Sequence, residues 1–173
     1  TPPPPDHLAG EVDIEIFETT ENLDKRCFEL VNGQRAAYIG DEEAIPDINL
    51  VFASNPAELV NQILYTRAVK TTYELSLIRK ASVIGARGHL AAKEGFEQNM
   101  SEFEIHIKFL EATGLNEHAL PYGNIVAQND HASLLHYQHQ ERHVPDPILS
   151  LLIDAGGSYK GYASDITRTY CTR

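Results

Sequence analysis

The sequence predicts an α+β fold: part of a small α/β unit over residues 1–66, then a larger unit over residues 67–173 in which two helices precede a run of strands. Three observations predict it. Residues 11–17 alternate polar and apolar side chains, the pattern of a half-buried strand. Two later stretches carry apolar residues at helical spacing, each opened by a Ser/Thr-x-x-Glu capping box. The last 50 or so residues break into short β-rich segments around a Gly-rich centre.

In the first unit, residues 20–31 read as helical, with Leu23, Cys27 and Leu30 at steps of 4 and 3. Ala36-Ala37-Tyr38-Ile39, ended by Gly40-Asp41, reads as a second strand. Residues 56–66 read as a helix with Leu59, Ile63 and Leu64 on one side. In the second unit a long helix begins near residue 72, with Thr71 and Glu74 at capping-box spacing. Leu77, Ala81, Ile84, Gly88 and Ala91 form its apolar stripe and Gly95 its expected stop. Ser101 and Glu104 cap the next helix, with Phe103, Ile107 and Leu110 as its expected stripe and Gly114 as its stop. Strands are expected at 124–127, 132–137 and 148–154, and a hairpin's second arm at 161–170.

The bulk numbers narrow the function. With 42% hydrophobic and 23% charged residues the chain is composed like an ordinary globular protein. Its net charge of −11 argues against nucleic acid or an anionic membrane as partner, since both need a basic footprint. Cys27 and Cys171 match no metal or redox spacing, so a reducing cytoplasm is the default. No apolar run approaches the length of a membrane span. The chain opens Thr1-Pro2-Pro3-Pro4-Pro5-Asp6 without a Met and stops just past a strand-like run, which is expected of a piece of a larger protein.

The chemistry concentrates in Asp154 and Asp165, which flank Gly156-Gly157 and a turn. With the turn centred between Tyr159 and Lys160, the two aspartates face each other across an antiparallel pair, Cβ atoms about 5 Å apart. Two ionised carboxylates so placed need a shared proton or a cation. The spacing alone leaves a second reading open, in which Asp154 serves the turn and Asp165 is a solvated strand residue. Four histidines, His131, His136, His139 and His143, cluster nearby with no accompanying cysteine. His139 and His143 fall in a polar stretch and read as solvated loop residues. His136 follows Leu134-Leu135 in an expected strand, so its ring is expected near the core, as a structural or a catalytic group. No phosphate-binding Gly-x-x-x-x-Gly-Lys-Ser/Thr motif and no Gly-x-Ser-x-Gly elbow is present.

Several stretches together resemble the first half of a pita-bread metallopeptidase domain, in particular the bacterial Xaa-Pro dipeptidase (prolidase) group with its related organophosphorus acid anhydrolases. They are Lys70-Thr71-Thr72-Tyr73-Glu74-Leu75, Ser101-Glu102-Phe103-Glu104-Ile105, Pro121-Tyr122-Gly123-Asn124-Ile125-Val126-Ala127, Leu134-Leu135-His136-Tyr137, and the run from Asp154-Ala155-Gly156 to Asp165-Ile166-Thr167-Arg168-Thr169. The resemblance implies two divalent metal ions, usually manganese, with Asp154 bidentate to one and Asp165 bridging both. It implies that a metal-bridging hydroxide attacks the scissile bond of a dipeptide with C-terminal proline. His136 matches the family's substrate-contacting catalytic histidine, Tyr122 and Leu135 match substrate-pocket positions, and Thr167 matches a donor that orients Asp165. The family's remaining ligands, a His and two Glu, belong to the second half of the domain, so this fragment is expected to be inactive alone. The group is often dimeric, which leaves a homodimer open. Asn99 stands where the group commonly has Gly. Two alternatives accompany this expectation: a non-catalytic pita-bread binding module, and an aminopeptidase P-like activity.

Overall fold

A computed structural model describes residues 23–31, 34–44 and 52–172 of the chain. The expected strand at 11–17 lies outside the described residues. The chain divides into two compact units, Thr1–Val69 and Lys70–Arg173.

In the first unit, α1 spans Leu23–Val31, β1 Ala36–Tyr38, β2 Phe52–Ser54 and α2 Ala57–Ala68. β1 and β2 pair in parallel, Ala36 with Phe52 and Tyr38 with Ser54. Asn55, at φ 43°, accepts from Gly40 N at 3.0 Å and donates to Gly40 O at 2.9 Å, closing the ends of the two strands. The expected α2 stripe is on the helix, but Leu59, Ile63 and Leu64 are all exposed.

The second unit is built on α3, Thr72–Glu97, and α4, Glu102–Thr113. Both capping boxes form as the sequence predicts: Thr71 and Glu74 close α3, Ser101 and Glu104 close α4. Leu77, Ala81 and Gly88 of the expected α3 stripe are buried, joined by Gly85, His89, Ala92, Gly95 and Phe96. Gly95 does not stop the helix. The helix ends in a Schellman motif, with Met100 N donating to Gly95 O at 3.0 Å and Asn99 N to Phe96 O at 3.1 Å. Asn99 carries the left-handed residue of that motif at φ 57°, a conformation Asn tolerates better than most residues.

The expected α4 stripe is wrong by one residue. Ile107 is 45% exposed, whereas Glu102, Ile105, His106 and Phe109 are buried. Two of these four are polar, which hides the buried face from a hydropathy pattern. α4 ends at Gly114, φ 69°, as expected.

β3 (Ile125–Gln128), β4 (Ser150–Ala155) and β7 (Ile166–Cys171) form an antiparallel sheet in the order β3-β4-β7. Leu151, Ile153 and Ala155 alternate along β4 toward a core shared with Ala92, Phe96, Ile105, Phe109 and Val126. Ser150, Leu152 and Asp154 take the other face. Between β4 and β7 a small hairpin pairs β5 (Ser158–Tyr159) with β6 (Tyr162–Ala163). Lys160 (φ 48°) and Gly161 (φ 81°) form its two-residue turn, and two positive φ values are what a tight hairpin of this twist requires.

Two expectations fail in this region. The turn is centred one residue later than predicted, so Asp154 pairs with Thr167 and not with Asp165. Residues 132–137 are not a strand: a 3-10 segment at Asn129–Ser133 runs into a turn. In consequence His136 is exposed, at φ 55°, and its ring is not near the core.

Candidate functional site

Asp154 and Asp165 converge despite the shifted register. A two-residue slip in pairing keeps side chains on the same face, because strand side chains alternate with period 2. Asp154 is half-buried on β4, and Asp165 is exposed just before β7. Tyr122, three residues before β3, brings its Oη to 2.8 Å from Asp154 Oδ1 and 2.9 Å from Asp165 Oδ1. Both carboxylate oxygens touch one atom, so they lie within about 6 Å of each other. The phenol has one O–H proton, which donates to one carboxylate at a time. Burial first, then the hydrogen bonds to Asp154 and Asp165, push the Tyr122 phenol well above its ordinary pKa of 10.0. It therefore stays a neutral donor at any physiological pH.

The hairpin that carries Asp165 is held against α3 by close backbone approach. Ser164 Oγ donates to Ala81 O at 3.1 Å and accepts from Gly157 N at 2.9 Å. A Cβ at Gly157 would lie 2.6 Å from Gly85 N and 2.7 Å from Ala81 O, so only glycine fits there. Gly157 thus serves contact with α3, whereas Gly156 makes room for the backbone of Ser164, where an added Cβ would collide with its carbonyl oxygen.

Tyr122 and the two aspartates meet at one point. Leu135 (87% exposed) and His136 lie together on the surface of the turn that follows the 3-10 segment. Thr167 stands across from Asp154, and its side chain makes no hydrogen bond to Asp165 among the described residues. His139 and His143 are exposed, as expected of solvated loop residues.

Sequence reasoning missed Glu102. Its carboxylate is 1% exposed and accepts four hydrogen bonds: from Gln128 N at 2.7 Å, His131 Nδ1 at 2.8 Å, Tyr137 Oη at 2.6 Å and Glu141 N at 2.7 Å. Desolvation and the bond to Glu102 hold the Tyr137 hydroxyl above its usual pKa. The signal for Glu102 was present: it stands three, four and seven residues before Ile105, His106 and Phe109, on the helix face that is buried.

Among the described residues no group of three or more His, Cys, Asp or Glu could hold a metal ion. Asp154 and Asp165 supply hard oxygen donors converging on a point now taken by a single proton donor, which fits part of a divalent-cation site. They are too few to complete one.

The architecture is that of part of a pita-bread metallopeptidase domain. Superposition on aminopeptidase P from Escherichia coli in its low-pH form gives a TM-score of 0.69 at 25% identity, covering 86% of this chain and 37% of that one. The structure described as Zn-substituted E. coli aminopeptidase P in complex with product gives 0.60 at 29% identity, over 72% of this chain and 28% of that one. Residues 76–173 match metallopeptidase family M24, and the chain belongs to that family. The Xaa-Pro dipeptidase of Shewanella loihica is 44% identical over 169 residues, 96% of this chain and 38% of the relative. That of Shewanella frigidimarina is 50% identical over 134 residues, 78% of this chain and 30% of the relative. The chain therefore spans well under half the length of these relatives. Family M24 enzymes use divalent metals. No described helix is long and apolar enough to cross a membrane.

Proposed function

We propose that the protein to which this chain belongs is a metal-dependent dipeptidase that hydrolyses dipeptides with C-terminal proline, using two divalent ions, manganese by preference. The observation that carries this reading is the convergence of Asp154 and Asp165 on Tyr122 Oη. The names of the relatives agree with it. Asp154 and Asp165 hold the ions, completed by ligands from outside residues 1–173, so this segment alone is inactive. Ions bound there supply Lewis-acid activation of water and of the scissile carbonyl.

The chain's own residues supply position. Tyr122 donates to the carboxylates and, with Leu135, lines the substrate pocket. His136, exposed and without a hydrogen bond among the described residues, is free to donate to the substrate. Thr167 contributes a hydroxyl to the strand face beside Asp154.

The test is hydrolysis of an Xaa-Pro dipeptide by the intact protein with Mn²⁺, against Asp154→Ala and Asp165→Ala. Each variant is expected to lose activity, and full activity in either would sink the proposal. Cleavage of longer Xaa-Pro peptides at the dipeptide's rate would instead favour an aminopeptidase P-like activity.

A further inference from the structure

The segment from Asn129 to Glu141 carries Leu135 and His136, yet it contains one short 3-10 turn and no strand or α-helix. Glu102 ties it on both sides of His136. Oε1 accepts from Gln128 N and His131 Nδ1, ahead of His136, and Oε2 accepts from Tyr137 Oη and Glu141 N, behind it. The His131 and Tyr137 rings stack across the same carboxylate, centroids 4.7 Å apart. Bonds to an ionised acceptor are shorter and stronger than neutral ones, and an unpaired buried donor is costly. Glu102 is the first residue of α4, directly after its Ser101 cap, so the anchor sits on a rigid element.

The tether continues to the paired carboxylates. Gln138 Nε2 donates to Gly123 O at 3.0 Å, and Gln140 Nε2 donates to Asn124 O at 3.3 Å. Those acceptors belong to the two residues after Tyr122, whose Oη touches Asp154 and Asp165. His136 itself holds φ 55°, a backbone conformation that a non-glycine residue keeps only where its surroundings impose it.

We propose that Glu102 is a positioning residue: it fixes His136 relative to Tyr122 and the aspartate pair by clamping both sides of the turn that bears it. The role given to His136 rests on the dipeptidase reading; the tether does not. Glu102→Gln isolates the charge at constant size. Its amide can accept from two of the four donors. Tyr137 can rotate to accept from the new NH₂, but one backbone N–H is left facing a donor.

The experiment uses the intact protein as Glu102→Gln, His136→Ala and the double variant. Glu102→Gln is expected to lower kcat on an Xaa-Pro dipeptide by about 100-fold with KM little changed, the scale of a small misplacement. In the His136→Ala background it should cost nothing further, because it acts through His136. Amide hydrogen exchange should rise over residues 129–141 and stay unchanged in β4. Losses that multiply in the double variant would overturn the proposal, as would an exchange increase spread across the whole unit. Wild-type protein inactive on Xaa-Pro dipeptides would remove the dipeptidase reading and the catalytic half of this proposal, leaving exchange to decide the tether alone.

Discussion

Replacing Tyr122 by Phe removes one oxygen and keeps the ring, which makes it a sensitive probe of the aspartate pair. In the structure that oxygen bonds both carboxylates, at 2.8 and 2.9 Å. A hydrogen bond to a charged acceptor contributes about 1.5–3 kcal/mol. Asp165 is exposed, so the low end applies. Two unit charges about 6 Å apart repel by about 0.7 kcal/mol in water and about 3 kcal/mol at an effective dielectric constant near 20. The phenol proton offsets part of that repulsion, and Phe does not. With metal chelated, Tyr122→Phe should therefore destabilise the intact protein by about 1.5 kcal/mol in urea unfolding. A cation entering between the carboxylates no longer has to displace that proton, so Mn²⁺ should bind the variant up to about tenfold more tightly. Calorimetric titration with Mn²⁺ measures the second effect. A variant as stable as wild type in chelator, and with the same Mn²⁺ affinity, would refute the idea that Tyr122 bridges the pair.

Gly157→Ala should cost about 1–3 kcal/mol, because its Cβ would meet backbone atoms of Gly85 and Ala81, which cannot swing aside. Lifting the hairpin should also weaken metal binding, and urea midpoints with Mn²⁺ titration read both. At Ser101, substitution by Ala removes the α4 cap and should cost about 1 kcal/mol in the same unfolding assay. Glu104 gives an acid-side dependence: its pKa is lowered below 4.5, first by the backbone hydrogen bond from Ser101 and then by that residue's hydroxyl. The bound carboxylate therefore stabilises the fold above 4.5, and that contribution is lost as pH falls through the lower folded value. Melting temperatures from pH 6 to 3 should fall less steeply for Glu104→Gln than for wild type.

The sequence announces the elements whose signals are local. Thr71 and Glu74, and Ser101 and Glu104, begin their helices because a cap is a contact within four residues. β4 is legible as a strand within 148–154, but its alternation is not, because Leu151-Leu152-Ile153 is an unbroken apolar run. Asp154 and Asp165 were legible as a pair, but not their register, because the centre of a hairpin depends on which residues accept positive φ. Lys160 does so at 48°, and a lysine gives no warning of it. The buried face of α4 escapes a hydropathy pattern because Glu102 and His106 lie on it. Glu102 finds its donors on Gln128, His131, Tyr137 and Glu141, and His106 meets Asn124, all 18 or more residues away and beyond any local pattern. Leu134 and Leu135 predict a strand leading into His136, yet both leucines are exposed, at 55% and 87%. That stretch takes its shape from the Glu102 tether rather than from its own hydropathy.

On the proposed reading, Asp154 and Asp165 together form one side of a divalent-metal site. The most direct test is Mn²⁺ binding stoichiometry and affinity of the intact protein, compared with Asp154→Asn and Asp165→Asn, each checked for unchanged folding by circular dichroism. Loss of a supporting partner typically weakens metal binding 10- to 100-fold, so loss of a ligand should weaken it by more than about 100-fold. Each variant should lose bound metal while keeping its fold. Wild-type stoichiometry and affinity in both variants would contradict that reading.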